Sequence, residues 1–290
     1  MSASAFQPLP VEPSFFAWRG HQIASYEAGS GSPVLLIHSI NAAASAFEMR
    51  APFAGLQNEF HVQAIDLLGF GRSDRPARRY TPDDYIDLIG DTLRQRNEPT
   101  ALIASTLGAA YAVAAANRWP NLVRSLVLIC PTGIDLLADP PGSAAAVGYA
   151  VLRGPVGAAI YKGLATRPSV RYFLEQQTYA DPKNVTPETF EGFYRATQHP
   201  GAMYAPICFV SGLLNYNISE EFARLAQPVL IVWGRQAKIT KIKQADAFMK
   251  RNPRARLEVF DNCGMIVQDE CSTAFNQLAA AFLREPGAST

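Results

Sequence analysis

The chain has 290 residues, of which 48% are hydrophobic and 18% charged, a balance that supplies a large core and excludes a disordered polymer. With 26 Lys and Arg against 25 Asp and Glu, and no basic tract, the composition argues against a nucleic-acid partner. Cys130, Cys208, Cys263 and Cys271 are scattered without metal-type spacing, so they are expected to be reduced, mostly buried thiols of a cytoplasmic protein with no metal.

Residues 1–13 are rich in Pro and Ser and lack a cationic start followed by an apolar core, so no signal peptide is expected. Phe15 to Arg19 and Gln22 to Glu27 predict two short strands joined by a turn at Gly20. Val34 to Ile37 is a continuous apolar run, the pattern of a strand buried on both faces of a parallel sheet. The run ends at His38-Ser39-Ile40-Asn41, and an Ala-rich helix is expected after it to about Leu56, then a strand over His61 to Asp66 that empties into a Gly-rich turn ending near Pro76. Thr81, Pro82 and Asp83 carry the marks of a capped helix start.

From Ala101 the sequence runs apolar into small residues and then straight into a helical pattern over Ala109 to Asn117. A strand that turns so sharply into a helix needs tiny side chains two residues either side of the apex, where the backbones nearly touch. Ala104 and Gly108 meet that need and put Thr106 at the apex. Val123 to Ile129 predicts another buried strand. From Ile134 to about Glu220 helical segments follow one another without strands, broken by Pro141, Pro155, Pro168, Pro182, Pro187 and Pro200. Within this region Gly142 to Ala165 is weakly polar, but Arg153, Pro155 and Lys162 interrupt it too often for a membrane span. Alternation resumes with strands at Val229 to Trp233 and Leu257 to Phe260 and helices at Ile242 to Arg251 and from about Asp269 to Leu283.

This order resembles the α/β-hydrolase family along nearly the whole chain. His38-Ser39-Ile40 sits where the family has its H-G-φ oxyanion loop. Asp66 to Asp74 is similar to the D-x-x-G-x-G-x-S-D segment, Leu230 to Thr240 to the strand and W-G-x-x-D-x-I-T turn, and Cys263-Gly264-Met265 to C-G-H. The resemblance implies an α/β fold: a mostly parallel central sheet of about eight strands with helices on both faces. An all-helical cap is implied at 134–220, inserted into a core of 1–133 and 221–290.

Matched residue by residue, the family's Ser-Asp-His positions hold Thr106 (nucleophile), Ala237 (acid) and Met265 (histidine). Neither Ala nor Met accepts a proton at neutral pH or orients an imidazole, so conventional serine-hydrolase chemistry is not expected. A threonine hydroxyl needs an adjacent base. His21 is expected on an edge strand, His61 at the start of a strand and His38 in a structural role within the oxyanion loop. His199, in the cap, is the remaining candidate, and Asp135 lies where some branches place their acid. Ser105 is expected to point into the sheet–helix packing. The backbone N–H groups of Ile40 and Leu107 are expected to survive as an oxyanion pair, with His38 and Asn41 nearby. Met265 would soften the old catalytic corner, and cap aromatics such as Tyr149, Tyr161, Tyr172, Phe173, Tyr194 and Tyr204 are available to line a pocket. Lys238 reads as a solvated charge.

Four functions stay open at this point. One is a non-hydrolytic binder of a small apolar or carbonyl-containing ligand. A second is a lyase, cyclase or isomerase working by positioning and charge stabilisation. A third is a weak esterase-like hydrolase built on Thr106 and a non-standard base. The last is a purely structural interaction protein. Under any of these readings the chain is open to being a monomer or a homodimer. No G-x-G-x-x-G opens a first helix and no P-loop is present, so no cofactor is expected.

Overall fold

The computed structural model of the chain describes residues 7–285. Strands β1 (Ser14–Trp18) and β2 (His21–Ala28) form a hairpin. Arg19 and Gly20 both take positive φ at its turn, the twist that suits a two-residue hairpin. Strand β3 (Pro33–Ile37) is buried at every residue, as its unbroken apolar run requires. A single 3-10 turn over Ala46–Met49 leads into α1 (Arg50–Leu56), and β4 (His61–Ile65) follows.

Helix α2 (Pro82–Arg96) starts at Thr81, whose backbone N–H donates to the Asp84 carboxylate at 2.8 Å; it stops at Asn97 in the left-handed conformation. Strand β5 (Thr100–Ser105) then passes directly into α3 (Thr106–Arg118), and β6 (Val123–Ile129) closes this half of the sheet.

Between β6 and the next strand the described chain is helical: α4 (Ser143–Leu152), α5 (Pro155–Leu164), α6 (Arg167–Tyr172), a π-helical turn over Phe173–Thr178, α7 (Pro187–Thr197), α8 (Tyr204–Val210) and α9 (Ser219–Arg224). Prolines open α5, α6 and α7 in the first turn, where a missing N–H costs nothing. Strand β7 (Val229–Gly234), helix α10 (Ala245–Arg251), strand β8 (Arg256–Phe260), the short α11 (Val267–Glu270) and α12 (Ser272–Leu283) complete the chain.

The eight strands form one sheet in the order β1-β2-β4-β3-β5-β6-β7-β8. β2 pairs antiparallel with both of its neighbours, and every other pairing from β4 to β8 is parallel. The fold is the α/β-hydrolase fold expected. His21 begins β2, which lies one strand in from the edge rather than on it, because β1 pairs along its outer side. Among the described residues no single helix is long and apolar enough to cross a membrane.

One expectation is overturned by the chain ends of β8 and α11. Cys263 and Cys271 are joined in a disulfide, with Cα atoms 6.5 Å apart, while Cys130 and Cys208 are free and buried. The tight loop and short helix between them fold back on themselves, which a spacing of eight residues does not announce. Reduced thiols therefore no longer argue for a cytoplasmic setting.

Candidate ligand site at the strand–helix elbow

Thr106 sits at the apex between β5 and α3 with φ at 49°, a left-handed conformation that is unusual for a β-branched residue. The close approach inferred at the apex is real. A Cβ on Gly108 would come within 2.3 Å of the His38 carbonyl oxygen, so only glycine lets the oxyanion loop pass the helix. The Thr106 carbonyl accepts from the N–H of Thr132 at 3.2 Å, tying the elbow to the end of β6.

Thr106 opens onto a cavity of about 190 Å³. Ile40, Asn41, Leu107 and Met265 share it, together with Thr132, Leu136, Leu137, Phe173, Phe209, Ile239 and Thr240. Phe173, Phe209 and Asn41 also line a second, apolar cavity of about 290 Å³ among α4, α5, α6 and α8. Tyr161 belongs to that second space, so of the six cap aromatics named from the sequence Phe173 and Tyr161 line the cavities, and Phe209 joins them. Tyr194 instead stacks on Phe190.

The remaining candidates lie elsewhere. His38 is fully buried and outside the cavity: its Nε2 accepts from the Leu67 N–H at 3.0 Å and its Nδ1 meets the Ser39 carbonyl at 2.6 Å. Burial pulls its pKa down, against the opposing pull of Asp66, and with both nitrogens held by backbone it is a structural neutral imidazole. Ala237 is buried in the turn after β7 but lines a separate surface hollow with Lys238 and Lys241. His199 lines a crevice with Arg72 and Ser45; burial and then Arg75 lower its pKa, and it does not meet Thr106. His61 is held by Glu27 and Arg96, and Asp135 faces a hollow with Lys243 and Asp246. Lys238 is exposed, yet its Nζ donates to the Gln176 carbonyl at 2.7 Å and so helps hold the π-helical turn.

The loop carrying Met265 is fixed from both sides. The Met265 N–H donates to the Thr178 carbonyl at 2.8 Å. Glu270 accepts from the N–H groups of Gly264, Ala180 and Asp181 and from Asn184, at 2.6 to 3.0 Å. The π-helical turn thus places Phe173 over the cavity while its far end carries Met265, a use of irregular helix common at functional sites.

A polar network that the sequence did not reveal lies behind the oxyanion loop. Glu48 is 1% exposed, and its carboxyl accepts from the Ser39 hydroxyl at 2.5 Å and the Ser39 N–H at 3.3 Å, with Gln268 Nε2 at 3.4 Å. Asn41 Nδ2 donates to the same Ser39 hydroxyl at 2.8 Å, while its Oδ1 accepts from the Ala43 N–H. The Asn41 amide is therefore spent on its own turn as well as facing the cavity. Burial pushes the Glu48 carboxyl up, against hydrogen bonds from Ser39 and the nearby Ser105 hydroxyl. Ser105 is buried as expected and lies close enough to influence Glu48, although its Oγ makes no well-formed hydrogen bond; Gln268 Oε1 is likewise unpartnered.

With this geometry in place, the comparisons agree on one class. A model of the alpha/beta hydrolase family matches residues 34–278, and the chain belongs to that family. It is 30% identical over 280 residues to 2-hydroxymuconate semialdehyde hydrolase of Pseudomonas sp. (strain CF600), covering 91% of both chains. It is 27% identical to the enzyme of the same name from Pseudomonas putida, covering 93% of each. Among solved structures it resembles a 2-hydroxy-6-oxo-6-phenylhexa-2,4-dienoate hydrolase from Rhodococcus sp. strain RHA1, with a TM-score of 0.77, 21% identity, and coverage of 94% of this chain and 98% of that one. At that identity the likeness speaks for the fold alone.

Proposed function

We propose that this chain is a member of the family whose catalytic triad is degenerate and that holds, or transforms without hydrolysis, a small and largely apolar molecule in the two cavities. Residues 134–220 act as the cap over a core of 1–133 and 221–290. The reading rests chiefly on one observation. Among the described residues, no carboxylate, imidazole or amine lines the cavity onto which Thr106 opens. A hydroxyl without a base stays a poor nucleophile. The N–H groups of Ile40 and Leu107 remain candidates for steadying a carbonyl oxygen, which suits a carbonyl-containing ligand and any lyase, cyclase or isomerase step that needs no covalent intermediate.

The test is intact-mass labelling with a fluorophosphonate probe, with peptide mapping, beside an active family member. No adduct is expected. An adduct on Thr106 or Ser105 would mean that a base activates the hydroxyl and would overturn the reading.

A second reading, a weak or unconventional hydrolase using Thr106, draws support from the names of the relatives, which act on 2-hydroxymuconate semialdehyde. It requires turnover of that compound by the purified chain, lost in Thr106→Val with the fold intact. Under the first reading neither protein hydrolyses it.

A further inference from the structure

Apart from Phe15 and Ile239, every large apolar side chain that the described residues leave exposed lies on the cap helices: Val147, Val151, Val156, Ile160, Leu164, Tyr172 and Val210, at 47% to 65% exposure. On α5, Val156, Ile160 and Leu164 are spaced four apart and share a face. Helices α4 and α5 together are apolar enough for a membrane segment but meet at 83°, so they form a helical corner rather than one straight span. Ile160, Leu164 and Val210 also line the larger cavity, so the exposed patch and the cavity wall are one continuous apolar surface.

Charge separates the candidate occupants of this face. Residues 141–174 contain Arg153, Lys162, Arg167 and Arg171 and no Asp or Glu. Arg167 and Arg171 are paired with Glu191 and Glu175. Arg153 and Lys162 are exposed and have no ion pair among the described residues. Arg153 stands at the junction of the two helices and Lys162 on the side of α5 away from Ile160 and Leu164, so an apolar face backed by cations, with no acid between 141 and 174, fits an apolar layer topped by negative headgroups. Tyr172, exposed on α6, adds an amphipathic ring of the kind that favours such an interface.

We infer that the α4–α5 corner docks on the surface of an anionic lipid bilayer, with the mouth of the larger cavity facing the lipid. An apolar ligand could then pass between bilayer and cavity without crossing water. The docking stands apart from the question of whether that ligand is transformed.

The test uses the purified full chain and sedimentation with vesicles of phosphatidylcholine, with and without phosphatidylglycerol. Binding is expected to the phosphatidylglycerol vesicles, weakening as salt rises. Arg153→Gln with Lys162→Gln should lower that partition on the order of thirtyfold, at about one headgroup-scale interaction per cation. Val151→Asp with Val156→Asp should abolish it; these side chains are exposed and do not line the cavity, so the thermal midpoint should hold in both double variants. Equal binding to neutral vesicles, or none to either, would overturn the inference. So would self-association in the absence of lipid that Val151→Asp with Val156→Asp disperses, since the face would then belong to a second copy of the chain.

Discussion

Glu48 offers the sharpest test of the buried network behind the oxyanion loop. Glu48→Gln keeps the shape of the side chain and removes its ionisation. Burial holds the carboxyl above its ordinary value of 4.5 in the folded chain, so between those two values the folded state carries more protons than the unfolded one. The stability that Glu48 contributes is therefore full below the unfolded value and is lost as pH rises towards the folded one. For a single proton the loss runs at up to about 1.4 kcal/mol per pH unit inside that window. The assay is urea unfolding of the natural chain and the variant at matched pH values from about 4 to about 8, read by tryptophan fluorescence. Every other titrating group cancels in the difference, provided the replacement stays local. The variant should gain on the natural chain as pH rises and then level off. A difference independent of pH, or one that favours the natural chain at higher pH, would mean that Glu48 is ionised in the folded state and that Ser39 and Gln268 suffice to hold its charge.

Two further replacements probe how the site is held. Glu270→Ala leaves the N–H groups of Gly264, Ala180 and Asp181 without their acceptor, and should cost about 2–3 kcal/mol in urea unfolding while loosening the Met265 loop, seen as faster amide exchange there. Gly71→Ala would place a Cβ 1.9 Å from Asp66 Oδ1 at a residue with φ of 49°. Asp66 accepts from Ala46, Arg72 and Tyr26, so displacing it should cost about 3 kcal/mol or more, seen as a large fall in the thermal midpoint.

Much of the fold was legible because its signals are local. Val34 to Ile37 and Val123 to Ile129 read as doubly buried strands, and β3 and β6 are buried throughout. Thr81 and Pro82 marked the start of α2 from the sterics of a first helical turn. What escaped depends on distant parts of the chain meeting. The expected last helix from about Asp269 is split at Cys271, between α11 and α12, where the disulfide falls. The π-helical turn at Phe173–Thr178 has no sequence signature; its carbonyl at Thr178 is fixed by Met265 almost ninety residues away. The Glu48 network joins Ser39, Ser105 and Gln268 through space, and nothing in the Ala-rich stretch around Glu48 announces those partners.

The elbow itself bears on how the site is to be interpreted. A β-branched residue in the left-handed region costs roughly 1–3 kcal/mol and persists only where its surroundings over-determine it. Here they do: Gly108 is pressed against the His38 carbonyl, and the Thr106 carbonyl is held by the Thr132 N–H. Neither constraint involves the Thr106 hydroxyl. The strained apex would therefore survive the loss of any chemistry at that position, and its presence does not argue for a working nucleophile. What bears on chemistry is the supply of proton acceptors. His38 is consumed by backbone, His199 and Asp135 open onto other hollows, and the loop after β8 brings a thioether to the cavity. A thioether and the rings of Phe173 and Phe209 offer dispersion contacts to an apolar guest and no route for a proton.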